Sequence, residues 1–174
     1  MSDKLVLLVD GSSYLYRAYH ALPDLRGPEG IPTGAVHGMV GMMKKLRQDV
    51  GAEHACCVFD AKGRTFRDDW YPEYKAHRSP MPDPLVQQIE PIHEVVLLLG
   101  WPILEVPGIE ADDAIGTLAC IAEQSGHRVL ISTGDKDLAQ LVTPNTTLIN
   151  TMTGERLDAA GVKAKFGVPP ERIV

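Results

Sequence analysis

The chain has 174 residues, 44% of them hydrophobic and 23% charged, with a net charge of −6. This is one soluble globular domain, able to bury roughly 70% of its unfolded surface, so it needs no disulfide staples. The acidic balance by itself argues against nucleic acid as a partner, unless bound cations neutralise a local cluster of carboxylates.

The three cysteines, Cys56, Cys57 and Cys120, are odd in number, and adjacent strand residues point to opposite faces. They read as buried thiols in a reducing compartment rather than as a disulfide or a metal site. The opening MSDKLVLLVDG has too short an apolar run for a signal peptide, and no stretch is long enough to span a membrane. The expected compartment is the cytoplasm of a bacterium, or its organellar equivalent.

Lys4 to Asp10 is an uninterrupted apolar run ending in an acid, the pattern of a buried central strand in a parallel sheet. Gly11-Ser12-Ser13 permits a tight turn, and a serine can cap the helix that Tyr14, Leu15, Ala18 and Tyr19 predict. His20 has no cysteine or histidine partner at ligand spacing and reads as an ordinary histidine. After a loop from Pro23 to Pro32, Thr33 is placed to cap a second helix, whose stripe is Val36, Met39, Val40, Met43, Leu46 and Val50. His54 to Asp60 is another buried strand, again ending in aspartate.

Residues 62–78 differ in character. Lys62, Arg64, Arg67, Lys75 and Arg78 alternate with Phe66, Trp70, Tyr71 and Tyr74, a mixture suited to single-stranded nucleic acid, with cations for phosphates and rings for bases. A solvated helix with a basic face is the plainer reading, and Asp68, Asp69 and Glu73 dilute the positive charge. The prolines from 80 to 84 break any helix there. Leu85 to Leu99 returns to helical spacing with Gly100 as a stop, and Trp101 to Val106 is a short strand.

Glu110, Asp112 and Asp113 then fall within four positions, ahead of an apolar helical run to about Ser125. The positive end of a helix dipole accounts for one or two such acids. Arg128 to Ser132 is a strand, and Asp135 and Asp137 follow its end; Asp137 alone could be a simple cap. Thr147 to Asn150 is a further strand, Ala159 to Phe166 a short helix, and Pro169 onward the entry to another. A parallel sheet gathers its strand ends on one edge, so Asp10, Asp60, Glu110, Asp112, Asp113, Asp135 and Asp137 converge there. Seven carboxylates in one place require cations, and oxygen ligands of this kind suit Mg²⁺ or Mn²⁺. No G-x-x-x-x-G-K-[ST] loop occurs, which excludes a P-loop NTPase. A haloacid-dehalogenase site needs an aspartate where Ser12 stands.

LVDGSSYLYRAYHA, VFDAKGRTFR, EYKAHR, GIEADDAIGTLA and ISTGDKDLAQLV together resemble, in order and over nearly the whole chain, the 5′ nuclease domain of bacterial DNA polymerases of the flap-endonuclease superfamily. The resemblance implies an α/β fold with a mostly parallel central sheet, PIN-like, and a helical arch at about residues 64–82. It implies a 5′-3′ exonuclease and flap endonuclease that hydrolyses phosphodiesters with two ions, Mg²⁺ or Mn²⁺. Asp10, Asp60, Glu110 and Asp112 would hold the first, and Asp113, Asp135 and Asp137 the second.

By the same resemblance, Arg67, Lys75 and Arg78 join Asp10 and Asp60 in the chemistry, and Gly11, Ser12, Arg17, Lys62, Arg64 and Tyr74 contact DNA. The expected substrates are DNA flaps, nicks and RNA–DNA primer junctions, and the expected neighbour is a polymerase region of the same longer chain. Residues 1–174 are expected to be the N-terminal part of that nuclease domain, ending before its helix-turn-helix DNA-binding part. The competing reading is a DNA-binding fragment without catalysis.

Overall fold

The computed structural model describes residues 4–77 and 79–173. Among these, six strands form one sheet: β1 (Leu5–Asp10), β2 (His54–Phe59), β3 (Ile103–Glu105), β4 (Arg128–Ser132), β5 (Thr146–Asn150) and β6 (Glu155–Leu157). Their order is β3-β2-β1-β4-β5-β6; the first five run parallel and β6 is antiparallel to β5. The α/β, mostly parallel sheet expected from the sequence is therefore present. β6 was not foreseen, because three residues of the pattern Glu-Arg-Leu carry almost no periodic signal.

Seven α-helices flank the sheet among the described residues: α1 (Gly11–Ala21), α2 (Gly34–Asp49), α3 (Phe66–Trp70), α4 (Asp83–Val86), α5 (Ile89–Leu98), α6 (Ala111–Gln124) and α7 (Ala159–Phe166). Two apolar layers result. Leu7, Val9, Cys57 and Phe59 face Tyr14, Met39, Met43, Leu46, Ile92 and Val96 on one side. Leu8, Val58, Val129 and Ile131 face Ala111, Ile115, Ala119 and Val162 on the other. Cys56 and Cys57 point to opposite layers as the strand period requires, and burial pushes both thiols up. Cys120, expected to be buried, is exposed on α6.

Three expectations about helix starts and extents are corrected. The α1 cap is the side chain of Asp10 rather than a serine: its Oδ1 accepts the Ser13 N–H at 2.9 Å. Thr33 occupies the N-cap position of α2 without capping it. The buried Gln88 does so from outside, accepting from Ala35 N at 2.8 Å and Val36 N at 3.2 Å while donating to Pro84 O at 2.8 Å. The helix expected over 85–99 is divided into α4 and α5, with Gln88 at the N-cap of α5.

The expected arch at 64–82 is not a continuous helix. α3 has five residues, turns follow it, and Pro72, Pro80 and Pro82 supply no N–H to continue a helical ladder. Pro170–Arg172 forms a 3-10 turn where a helix entry was expected.

β1 lies at the switch point of the sheet, with β2 on one side and β4 on the other. The crevice outside the carboxyl ends of β1 and β4 is where such a sheet places a ligand.

Candidate active site

A cleft of about 890 Å³ opens at that switch point. Asp10, Asp60, Glu110, Asp112, Asp135 and Asp137 line it. Asp113, the seventh acid, faces an adjoining cavity that Glu110, Asp112 and Asp137 share. The sheet edge and the N-terminus of α6 thus bring the predicted acids together from four separate segments.

Asp10 is 3% exposed and ends β1. Its Oδ2 accepts the Thr133 hydroxyl at 2.6 Å. Burial raises its pKa, the hydrogen bonds from Thr133 and Ser13 oppose the rise, and the nearby Asp135 and Asp60 add to it. Asp60 accepts the Ala111 N–H at 2.7 Å, and its own N–H donates to Ser12 Oγ at 2.9 Å. Thr133 also accepts the Asp135 N–H at 2.9 Å, and Asp135 Oδ1 accepts the Asp137 N–H at 2.9 Å. Asp137 therefore donates to the cluster through its backbone and does not act as the helix cap.

Asp112 carries the largest consequence of this crowding. Burial, and then Asp10, Asp135, Asp60 and Glu110 in turn, push its carboxyl up to about 7. Asp113 goes the opposite way. Arg67 grips both of its oxygens, which lowers its pKa and raises that of the guanidinium. Glu110 and Asp113 also close a capping box at the start of α6. Glu110 accepts Lys75 Nζ at 2.5 Å and the Tyr74 hydroxyl at 3.1 Å.

The chemistry of the donor set fits hard divalent cations: the acids lining the cleft offer oxygen alone. As the side chains are turned, no three acid, histidine or cysteine groups among the described residues stand close enough to share an ion. Glu110, Asp113 and Asp60 are each engaged with a protein donor instead.

The family described as 5′-3′ exonuclease, N-terminal resolvase-like domain, matches residues 5–167. The chain belongs to this family. It is 57% identical to DNA polymerase I of Pseudomonas aeruginosa over 174 residues, all of this chain and 19% of that protein. It is 43% identical to the 5′-3′ exonuclease of Aquifex aeolicus, over 98% of this chain and 59% of that one. The chain thus spans about a fifth to three-fifths of the length of these relatives.

Among solved structures, the T5 5′-exonuclease with bound zinc ions superposes with a TM-score of 0.74 at 19% identity, over 98% of this chain and 64% of that one. The catalytic core of Rad2 in complex with DNA gives 0.55 at 19%, over 98% and 53%. At that identity these likenesses establish the fold, the PIN-like arrangement expected from the sequence.

The other residues expected at the site of this exonuclease-family domain divide into two sets. Ser12, Arg17, Tyr74 and Lys75 line the main cleft. Arg17 lies over the Tyr14 ring at 5.9 Å and donates to Asn150 Oδ1 at 3.4 Å; its Nη1 is buried without a partner. A Cβ on Gly134 would sit 1.8 Å from this guanidinium, so that glycine makes room for it.

Lys62 and Arg64 do not line the main cleft. Lys62 borders a smaller cavity that shares Ser12, Tyr16 and Asp60 with it, and Arg64 pairs with Asp69 at 3.1 Å on the surface. Gly11 is buried, and a Cβ there would meet the Phe59 ring at 2.7 Å, so packing requires this glycine. Arg78 lies outside the described residues.

Sequence reasoning missed Thr133, which fastens Asp10 to the loop of Asp135. A threonine directly after a buried strand and just before Gly-Asp-Lys-Asp was its only signal. It also missed the buried Tyr14 hydroxyl, which ties β4 to the end of β5 through Ser132 at 2.7 Å and Thr151 at 2.8 Å.

Proposed function

We propose that the chain is the metal-bearing part of a structure-specific 5′ nuclease, cytoplasmic and within a DNA polymerase I, which hydrolyses phosphodiesters at 5′ flaps, nicks and RNA–DNA primer junctions. The observation that carries this reading is the convergence of Asp10, Asp60, Glu110, Asp112, Asp135 and Asp137 on one cleft, with Lys75 and Tyr74 on its rim. Two ions, Mg²⁺ or Mn²⁺, fit this donor set, with Asp10, Asp60, Glu110 and Asp112 holding the first and Asp113, Asp135 and Asp137 the second. When bound, such ions supply a water acidified toward neutral pH and offset charge on the departing oxygen.

The remaining work belongs to the chain's own groups. Thr133 and Ser13 hold the Asp10 carboxylate in one orientation, and Ala111 N–H does the same for Asp60. Lys75 and Arg67 sit where a phosphate entering over Glu110 meets positive charge, and Tyr74 offers a ring to an adjacent base. Arg17, which also lines the cleft, brings a further positive charge to a phosphate there.

A second reading, a DNA-binding platform without catalysis, draws on the absence of a ready-made trio of ligands among the described residues. Cleavage of a labelled 5′-flap duplex, with Mg²⁺, with Mn²⁺ and with chelator, separates the two. Metal-dependent cutting near the branch is expected. Duplex binding with no cutting, by this chain and by a longer relative-length chain alike, overturns catalysis and leaves the platform.

A further inference from the structure

The segment from Phe66 to Lys75 is a strap fastened over the start of α6 by its own polar groups. Phe66 N–H donates to Gly108 O at 3.0 Å. Arg67 forks onto Asp113, and its Nη1 stands 3.6 Å from Glu110 Oε2. At the far end Lys75 Nζ takes Glu110 Oε1 at 2.5 Å while the Tyr74 hydroxyl takes Oε2 at 3.1 Å. Both oxygens of Glu110 are therefore engaged by the strap. Glu110 is the more enclosed partner, with its side chain 12% exposed against 33% for Lys75.

Lys75 reaches this position with a left-handed φ of 54°, costly for a residue with a Cβ. A cation that draws on Glu110 meets a carboxylate already neutralised by an ammonium, and two positive charges on one carboxylate repel.

Resting on the metal-site reading above, we propose that Lys75 and Tyr74 form a latch on Glu110 that a divalent ion must open, so that ion binding and release of the strap are one coupled event. Coupling is reciprocal: whatever the latch withholds from ion affinity, the ion withholds from the latch. The consequence is order of assembly. Lys75 and Tyr74, beside the already exposed Trp70, become free to engage a DNA strand only once the acids are charged with cations.

Mn²⁺ binding to the full 174-residue chain, read from loss of the free-ion paramagnetic resonance signal, tests the latch without activity. Lys75→Met is expected to bind Mn²⁺ roughly fivefold tighter, a partly enclosed ion pair having been removed. Tyr74→Phe changes no charge, and loss of one hydrogen bond to Glu110 should tighten binding about twofold. Lys136→Met removes the same charge from the same cleft without touching Glu110, and should tighten binding less than Lys75→Met.

Equal gains in the two lysine variants, with none in Tyr74→Phe, would reduce the effect to general charge and overturn the latch. No Mn²⁺ binding by any form would overturn the metal-site reading itself, and the latch with it. In a second measurement, Mg²⁺ should speed tryptic cleavage at Lys75 in the unaltered chain; slower cleavage with Mg²⁺ also overturns the proposal.

Discussion

Asp112 and Asp113 are consecutive residues in the first turn of one helix, yet they stand on opposite sides of an electrostatic divide. Asp112 is turned into the cleft, where burial first and then Asp10, Asp135 and Asp60 push its pKa up to about 7. Asp113 faces the strap, where Arg67 holds it as a fully formed ion pair and lowers its pKa. Helix geometry alone separates them: a step of one residue turns a side chain by about 100°, from the sheet edge to the outer flank. The two flanks of the helix start answer to different demands. The inner flank concentrates like charges at a cost to the fold, as functional sites do; the outer flank supplies part of the compensation.

Asp60→Ala should separate the two demands most sharply. If the proposed activity holds, flap cleavage should fall by at least ~10²-fold, while the thermal midpoint stays level or rises because a repelling charge is gone. Unchanged turnover would remove Asp60 from the site. Lys75→Ala, on the strap, should slow cleavage by about 10²-fold and weaken duplex binding far less; a loss confined to affinity would make Lys75 a docking residue.

Smaller effects concern stability. Asp112 is raised on folding, so its contribution is fully present below the unfolded value near 3.8 and is lost as pH rises through about 7. In chelator, Asp112→Asn should therefore match the parent near pH 4 and exceed it at pH 8 by about 1–2 kcal/mol after allowing for solvent screening. A constant difference across that range in urea titrations would contradict the assignment.

Asp113 has the reverse sign. Its stabilising pair is present above 3.8 and lost as pH falls through its lowered folded value. Arg67→Ala should cost about 1 kcal/mol at pH 7, less in high salt and less at pH 3, measured by the same titrations.

Much of the site was legible because its chemistry is written in local words. Asp10 and Asp60 end apolar runs, and Asp135 and Asp137 follow another, so strand direction alone carried them to one edge. Glu110, Asp112 and Asp113 announced a helix start and an acid cluster together. The strap was legible in composition and not in shape, since Pro72 and the later prolines interrupt a basic, aromatic pattern that otherwise suggests a helix. Gln88 could not have been foreseen as the cap of α2. The α2 amides it meets lie more than 50 positions away, and the pair Gln87-Gln88 carries no signal of which glutamine turns inward or whom it meets.

The sequence by itself determined the parallel α/β class, the strand ends that carry acids, and the membership that its motifs announce. These follow from hydrophobic period and residue type, which act over a few neighbours. Only the tertiary structure decided which acids would be paired and which would repel. It turned Asp112 inward and Asp113 outward, set Lys75 and Tyr74 on Glu110, and laid Arg17 against Gly134. Those outcomes depend on burial and on charges brought close from distant segments, and both are properties of the folded chain.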